Sequence, residues 1–329
     1  MIKRPVVFVT RPLPQAALKA ISKYATVRLR KTDSIIPRAE LLAGAKQCDI
    51  LLPILTDKID DALLAQTPRL KLIANYGAGY NNVDVESATR RGIPVTNTPD
   101  VLTETTAELA VALMLAVSRR LVETDKVMRA GNYPGWGPLM YLGHGISGKT
   151  LGVIGMGRIG TRVAEIAHHG FGMHVLYYTK HKEREVELSL GARKVGLSTL
   201  LRKADVVTLH VPLIPQTKHL ISRKQLALMK PSAYLINTSR GPVVDEAALV
   251  QALTKRRIAG AGLDVYEHEP AMAPGLAKLS NAVLLPHIGS ATIDTRTAMA
   301  MVAAKNIIAF IQRRSLPNCV NPPRLVRSA

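Results

Sequence analysis

The chain has 329 residues, 47% of them hydrophobic and 21% charged, a length suited to two domains and a composition that excludes extended disorder. Lysine and arginine number 44 against 24 aspartates and glutamates, a net charge of +20 that raises the question of nucleic-acid binding. The basic residues are scattered in twos and threes (Arg119/Arg120, Lys255/Arg256/Arg257, Arg313/Arg314), and one Trp and three Phe offer little surface for base stacking. This reads as a generally basic, solvated surface that would steer small anions, with no nucleic-acid partner expected. No apolar run approaches the ~18 residues of a membrane span, and the first ten residues hold no signal-peptide core. A cytoplasmic protein without membrane partners is expected. Cys48 and Cys319 can build neither a disulfide framework nor a metal cluster, so no metal is expected.

Short, nearly continuous apolar segments predict strands over 6–10, 25–29, 50–55, 72–76 and 94–97, separated by stretches of helical spacing. A helix is predicted over 104–129, opened by Thr103 as N-cap and leading into a second domain. The glycine-, proline- and aromatic-rich stretch 130–149 breaks the pattern, and strands resume at 150–154, 174–178, 206–210, 234–237, 260–265 and 283–285. Apolar strands alternating with helices imply parallel sheets covered on both faces. The expected fold is α/β, with two doubly wound parallel-sheet domains.

Two glycine motifs compete as phosphate cradles. Residues 143–150, Gly-His-Gly-Ile-Ser-Gly-Lys-Thr, match the P-loop pattern literally, but they run into a predicted strand where a P-loop must run into a helix. Gly155-Met156-Gly157-Arg158-Ile159-Gly160 instead follows a strand and opens a helix, with a second strand at the distance of a βαβ unit. The first glycine permits the tight turn, the second a close approach to a pyrophosphate, and the third tight helix–strand contact. At the end of the second strand, where an NAD site places a carboxylate, stand Thr179, Lys180, His181 and Lys182. A hydroxyl and two cations suit a 2′-phosphate, so NADP is the favoured cofactor, with NAD also open.

Three further predicted strands end in Thr238-Ser239-Arg240-Gly241, in Glu267-His268-Glu269-Pro270 and in Pro286-His287-Ile288-Gly289. An Arg, a Glu and a His on one sheet edge beside a dinucleotide crevice point to reduction of a 2-oxo acid. The Arg pairs with the carboxylate and polarises the oxo group, the His supplies the proton, and the Glu stabilises the imidazolium.

Along essentially its whole length the chain resembles the D-isomer-specific 2-hydroxyacid dehydrogenases. The likeness is carried by 75–84 (Asn-Tyr-Gly-Ala-Gly-Tyr-Asn-Asn-Val-Asp), by the glycine turn, and by the blocks 237–241, 262–270 and 286–290. The resemblance implies a catalytic trio of Arg240, Glu269 and His287, with Glu267 as the alternative glutamate. It implies substrate contacts from Tyr76, Ala78, Gly79, Arg240, His287 and Trp136, with the amides of Ala78 and Gly79 binding the carboxylate. Trp136 either reaches the neighbouring subunit's substrate pocket or anchors the interface. Cofactor contacts are implied for Thr105, Gly155, Gly157, Arg158, Ile159 and Gly160, and for Thr179, Lys180 and His181. Thr238, Ser239, Asp264 and Gly289 would complete them on the nicotinamide side.

Within the family the likeness is greatest to glyoxylate/hydroxypyruvate reductases, which implies glyoxylate or hydroxypyruvate as substrate and reduction to the D-2-hydroxy acid. The resemblance also implies a Rossmann cofactor domain, 100–287, inserted into a flavodoxin-like substrate domain, 1–99 and 288–329, with a cleft that closes over substrate. A homodimer formed through the cofactor domain is expected, and no regulatory domain after Ala329. Two alternatives share the scaffold: a dinucleotide-sensing corepressor, whose relatives carry extra termini, and a phosphite dehydrogenase, which usually has Lys where this chain has Tyr76.

Overall fold

Buried on both faces, short apolar segments gain most by pairing with their like. In the computed structural model, which describes residues 4–321, they do so in two separate parallel sheets. The chain divides into one unit of residues up to Leu102 together with those from Ala291, and a second unit, Thr103–Ser290.

The first unit contains β1 (Val6–Val9), β2 (Thr26–Leu29), β3 (Ile50–Leu52), β4 (Leu72–Ala74) and β5 (Val95–Thr96), in the order β2-β1-β3-β4-β5. That is a flavodoxin-like order. Helices Gln15–Ser22 and Ile293–Ile311 cover one face through Leu18, Ile21, Met299 and Ile307. Leu41, Leu63 and Ala88, from three further helices, cover the other.

The second unit holds β6 (Thr150–Ile154), β7 (His174–Tyr178), β8 (Arg193–Lys194), β9 (Val206–Leu209), β10 (Tyr234–Asn237), β11 (Gly260–Leu263) and β12 (Ala282–Leu284). Their order is β12-β11-β10-β9-β6-β7-β8, every neighbouring pair parallel. This is the dinucleotide-binding order with one strand added, and its switch point lies between β6 and β9. Helices Thr103–Ser118 and Arg158–Phe171 cover one face through Leu113, Met114, Val163 and Ala167. Leu200, Leu226, Leu249 and Leu253 line the other.

Four features differ from expectation. The expected helix 104–129 is two helices, Thr103–Ser118 and Leu121–Arg129, with Thr103 as the first helical residue. Arg120 between them is left-handed, φ 55°. The Ser118 carbonyl leaves the helical ladder to accept from the His144 amide at 2.9 Å. Gly143 lies so close that a Cβ there would sit 2.2 Å from that oxygen. Strand β8 was not anticipated: both of its residues are charged and exposed, so backbone pairing to β7 defines it without any apolar signal. Several strands end earlier than predicted, because Pro53, Tyr76 and Val265 stay buried after leaving the ladder. The division between units falls three residues beyond the expected crossings, at 102/103 and 290/291. Val101 and Leu102 pack into the first unit's core, while the amides of Ile288 and Gly289 bind Asp264 of the second.

Helix Leu121–Arg129 buries no residue, and Met128, Trp136 and Leu139 are 59%, 84% and 82% exposed. Among the described residues no helix is long and apolar enough to cross a membrane. Leu113, 1% exposed beneath the sheet of the second unit, should be costly to truncate. Leu113→Ala is expected to destabilise the protein by about 2–5 kcal/mol, read from chemical unfolding.

Candidate active site

The glycine turn sits at the switch point of the second sheet, and its three glycines answer to different constraints. Gly155 is left-handed, φ 94°, and a Cβ there would lie 2.6 Å from the His210 carbonyl oxygen that follows β9. Gly160 presses its Cα against the turn, and a Cβ would meet Gly155 O at 2.1 Å. The fold itself therefore requires these two glycines. Gly157, the N-cap of helix Arg158–Phe171, faces open space that a Cβ would enter without contact. Nothing inside the protein demands a glycine there, whereas close approach of an anion to the helix N-terminus would. Arg158 is the first, exposed residue of that helix, and Ile159 is half-buried behind it. Lys149 of the P-loop-like stretch runs directly into β6, so no helix N-terminus follows it.

Past β7, Thr179 is half-buried and Lys180 and His181 are exposed. Lys182 departs from the expected pair of available cations. Its ammonium lies 2.9 Å from Glu187, whose other oxygen accepts from the Tyr177 hydroxyl at 2.9 Å. Lys180 keeps the cation of this turn unpaired by any carboxylate among the described residues, its carbonyl accepting from Lys194.

Three adjacent strands bring the charged residues together. After β10, the Asn237 side chain accepts from the Ser239 amide (3.0 Å) and hydroxyl (2.8 Å) and donates to the Arg240 carbonyl (3.0 Å). This Asx turn orients Arg240, whose guanidinium donates to Ser239 O at 2.7 Å. Burial pushes that guanidinium below its ordinary value, and Glu269 beside it opposes the shift. Thr238 is buried, and its hydroxyl has no hydrogen-bond partner among the described residues. The pattern of a strand-end Asn ahead of Thr-Ser-Arg was visible in the sequence, although Asn237 was not singled out.

After β11, Asp264 is 1% exposed, and its two oxygens accept from the amides of Ile288 (2.7 Å) and Gly289 (2.8 Å). Burial pushes its carboxyl up, against those amides and the nearby His287. The two amides hold the turn after β12 in which His287 is left-handed, φ 57°, a region histidine enters more readily than most residues. Gly289 also approaches helix Thr103–Ser118, where Thr106 donates to its carbonyl at 3.2 Å. Thr105, the neighbour expected to face the cofactor, is half-exposed in the first turn of that helix.

His287 Nδ1 and Glu269 Oε2 are 2.9 Å apart, with about a third of each side chain open to solvent. Glu269 Oε1 accepts from the Tyr266 amide at 3.1 Å. Burial raises the Glu269 carboxyl, but the bond and charge of His287, the Tyr266 amide and Arg240 together bring it below the ordinary 4.5. The alternative glutamate, Glu267, has a different partner: His219, Nε2 to Oε1, at 2.6 Å. Among the described residues no cluster of His, Cys, Asp and Glu could hold a metal ion.

In the first unit, the loop after β4 turns its carbonyls inward. Gly77 O accepts from the Thr98 amide (2.9 Å), Ala78 O from Asn97 (2.7 Å) and Gly79 O from Asn75 (3.0 Å). The amides of Ala78 and Gly79 have no acceptor among the described residues. Tyr76 differs from the expected ligand contact. It is 6% exposed, packed in the core, and its hydroxyl donates to the Arg296 carbonyl at 2.9 Å.

The lowered Glu269 carboxyl has a consequence for stability. The folded protein binds fewer protons at this site than the unfolded chain. The stabilisation is full above the ordinary 4.5 and is lost as pH falls through the folded value. Glu269→Gln should flatten the decline of melting temperature below pH 4.5, and an unchanged acid slope would separate the pair from folding energetics.

The family model for the D-isomer specific 2-hydroxyacid dehydrogenase NAD binding domain matches residues 111–289. A glyoxylate reductase of Thermococcus litoralis is 50% identical over 329 residues, 99% of each chain, and one of Aeropyrum pernix 49% identical over 97% of each. Among solved structures, a glyoxylate reductase from Paecilomyes thermophila superimposes with TM-score 0.87 at 34% identity, over 97% of this chain and 99% of that one. An NADPH-dependent glyoxylate/hydroxypyruvate reductase from Sinorhizobium meliloti, solved with NADP and malonate, gives 0.86 at 33%, over 99% and 100%. The family match spans the glycine turn and all three charged strand ends, and the likeness to whole enzymes runs from end to end; the chain belongs to the D-isomer specific 2-hydroxyacid dehydrogenase family.

Proposed function

We propose that this chain reduces a small 2-oxo acid, glyoxylate or hydroxypyruvate, to the D-2-hydroxy acid, with NADPH preferred over NADH. The observation that carries the reading is the His287–Glu269 pair beside Arg240, on adjacent strand ends of the sheet that bears the glycine turn. The relatives named glyoxylate reductase at 50% and 49% identity support the substrate class.

A dinucleotide fits the residues present. Gly155, Gly157 and Gly160, with Arg158 and Ile159, would hold the pyrophosphate at the helix N-terminus. Thr179, Lys180 and His181 would meet the adenosine ribose. Thr105, Thr238, Ser239, Asp264 and Gly289 would surround the nicotinamide, with the unpartnered Thr238 hydroxyl supplying a buried polar contact. When bound there, the reduced nicotinamide supplies a hydride for the carbonyl carbon. Arg240 pairs with the substrate carboxylate and draws electron density onto the oxo group. His287 commits Nδ1 to Glu269, which leaves Nε2 to deliver a proton to the carbonyl oxygen. Glu269 stabilises the imidazolium before transfer, and solvent returns the proton afterwards. The amides of Ala78 and Gly79, in the first unit, would offer a carboxylate neutral donors. A second copy of the chain would cover the exposed apolar segment that includes Met128, Trp136 and Leu139.

The test follows nicotinamide absorbance with glyoxylate, hydroxypyruvate and pyruvate. His287→Ala should cut turnover by about 10²–10⁴-fold with cofactor affinity unchanged, and survival within threefold would remove His287 from the chemistry. For the cofactor, Thr179→Asp combined with Lys180→Ser places an anion and removes a cation beside a 2′-phosphate. Each lost charge-assisted contact should weaken NADPH by roughly 10–150-fold, turning the preference to NADH. Equal Michaelis constants for both cofactors in the parent enzyme would defeat that assignment.

A further inference from the structure

The loop after β11 carries two glutamates, and each is engaged by a different histidine. Glu269 meets His287; Glu267 meets His219, which no part of the proposed chemistry uses. His219 lies in the connection from β9 and is itself left-handed, φ 51°. Its backbone amide donates to Pro242 O at 2.8 Å, two residues past Arg240. Its neighbours continue the same attachment: Ile221 donates to Val243 O at 3.1 Å and accepts from Asp245 at 3.0 Å.

One residue thus touches both charged loops, by its backbone to the arginine loop and by its ring to the glutamate loop. Those loops are already in close contact. A Cβ on Gly241 would stand 1.8 Å from Tyr266 O and 2.4 Å from the Glu267 amide nitrogen. Glu267 is also bound into helix Glu246–Thr254: its amide donates to Glu246 Oε2 at 2.7 Å, and its carboxylate accepts from the Glu246 amide at 3.2 Å. Glu246 accepts in turn from the Ala273 amide at 2.7 Å, which closes the far side of the loop.

We propose that His219 is a positioning residue that holds the Arg240 and Glu269 loops in register. It does so by clamping Glu267, which fixes the loop two residues before Glu269. The clamp also occupies Glu267, the other glutamate on that loop, and leaves Glu269 to His287. This inference rests on the reading that Arg240, Glu269 and His287 perform the chemistry. Its expected signature is a joint effect, because a loosened arginine loop raises KM for the oxo acid while a loosened glutamate loop lowers kcat.

The test compares two substitutions in the full-length protein. His219→Gly removes the ring and relaxes the left-handed backbone, so stability should hold. His219→Gln places an amide donor near the reach of Nε2. The glycine variant should lose about 10–100-fold in kcat and show a raised KM for glyoxylate. Its melting temperature and its NADPH affinity, read by nicotinamide fluorescence, should match the parent. The glutamine variant should recover kcat to within a few-fold. Parent-like kinetics in the glycine variant would overturn the proposal. So would a loss that glutamine fails to restore, or one that simply follows a fall in melting temperature. The underlying reading fails separately, through an active His287→Ala enzyme.

Discussion

A single buried carboxylate organises the end of the second sheet. Asp264 continues the ladder one residue past β11, its amide on Asn237 O, and then turns both oxygens onto the amides of Ile288 and Gly289. An unpaired charge at this depth would be costly, so those two amides and the turn that presents them are obligatory partners. The left-handed backbone of His287 follows from that requirement, as does the approach of Gly289 to Thr106 on the helix opening the unit. The backbone of His287 is thus held, through the two amides that follow it, by a carboxylate on the neighbouring strand end.

The glutamate loop shows how two like side chains acquire different partners. Glu267 and Glu269 are two residues apart, both facing histidines, yet their surroundings differ. Glu267 is bonded to backbone on its helix side and to His219 at 2.6 Å. Glu269 receives one amide and a half-exposed imidazole, and lies in the field of Arg240. Parallel strands make this economical, because successive strands deliver their carboxyl ends to the same edge.

Much of this was legible beforehand, and the parts that were not share a cause. Runs such as 151–154 and 234–236 carry no polar side chain but a tyrosine's, so burial announces them as strands. β8 is two exposed charged residues, and only its pairing with Leu176 and Tyr177 makes it a strand. The glycine turn was readable because a strand precedes it and a helix follows. The break at Arg120 was not, since it depends on Gly143 and His144 returning to Ser118 from more than twenty positions away. Similarly, the Arg/Glu/His set was proposed from the strand ends and Glu269 preferred to Glu267 from the resemblance, while the histidine that each glutamate meets depends on partners distant in sequence. Lys182 could be counted as an available cation until its pairing with Glu187 across a turn became visible. Tyr76 reads as a substrate contact at the end of a predicted strand, yet it lies in the core and bonds the carbonyl of Arg296, 220 positions on.

The loop at 77–79 has an implication for how this scaffold can diverge. Its carbonyls are secured by Thr98, Asn97 and Asn75, and the donors left over are main-chain amides. Such donors carry no titratable proton and belong to no particular side chain. Donors of this kind persist through most replacements at position 78, because a change of side chain leaves the amide in place. If these amides bind the acid as proposed, recognition of its head would rest on backbone and discrimination of its tail on side chains. Selection can revise the second without erasing the first.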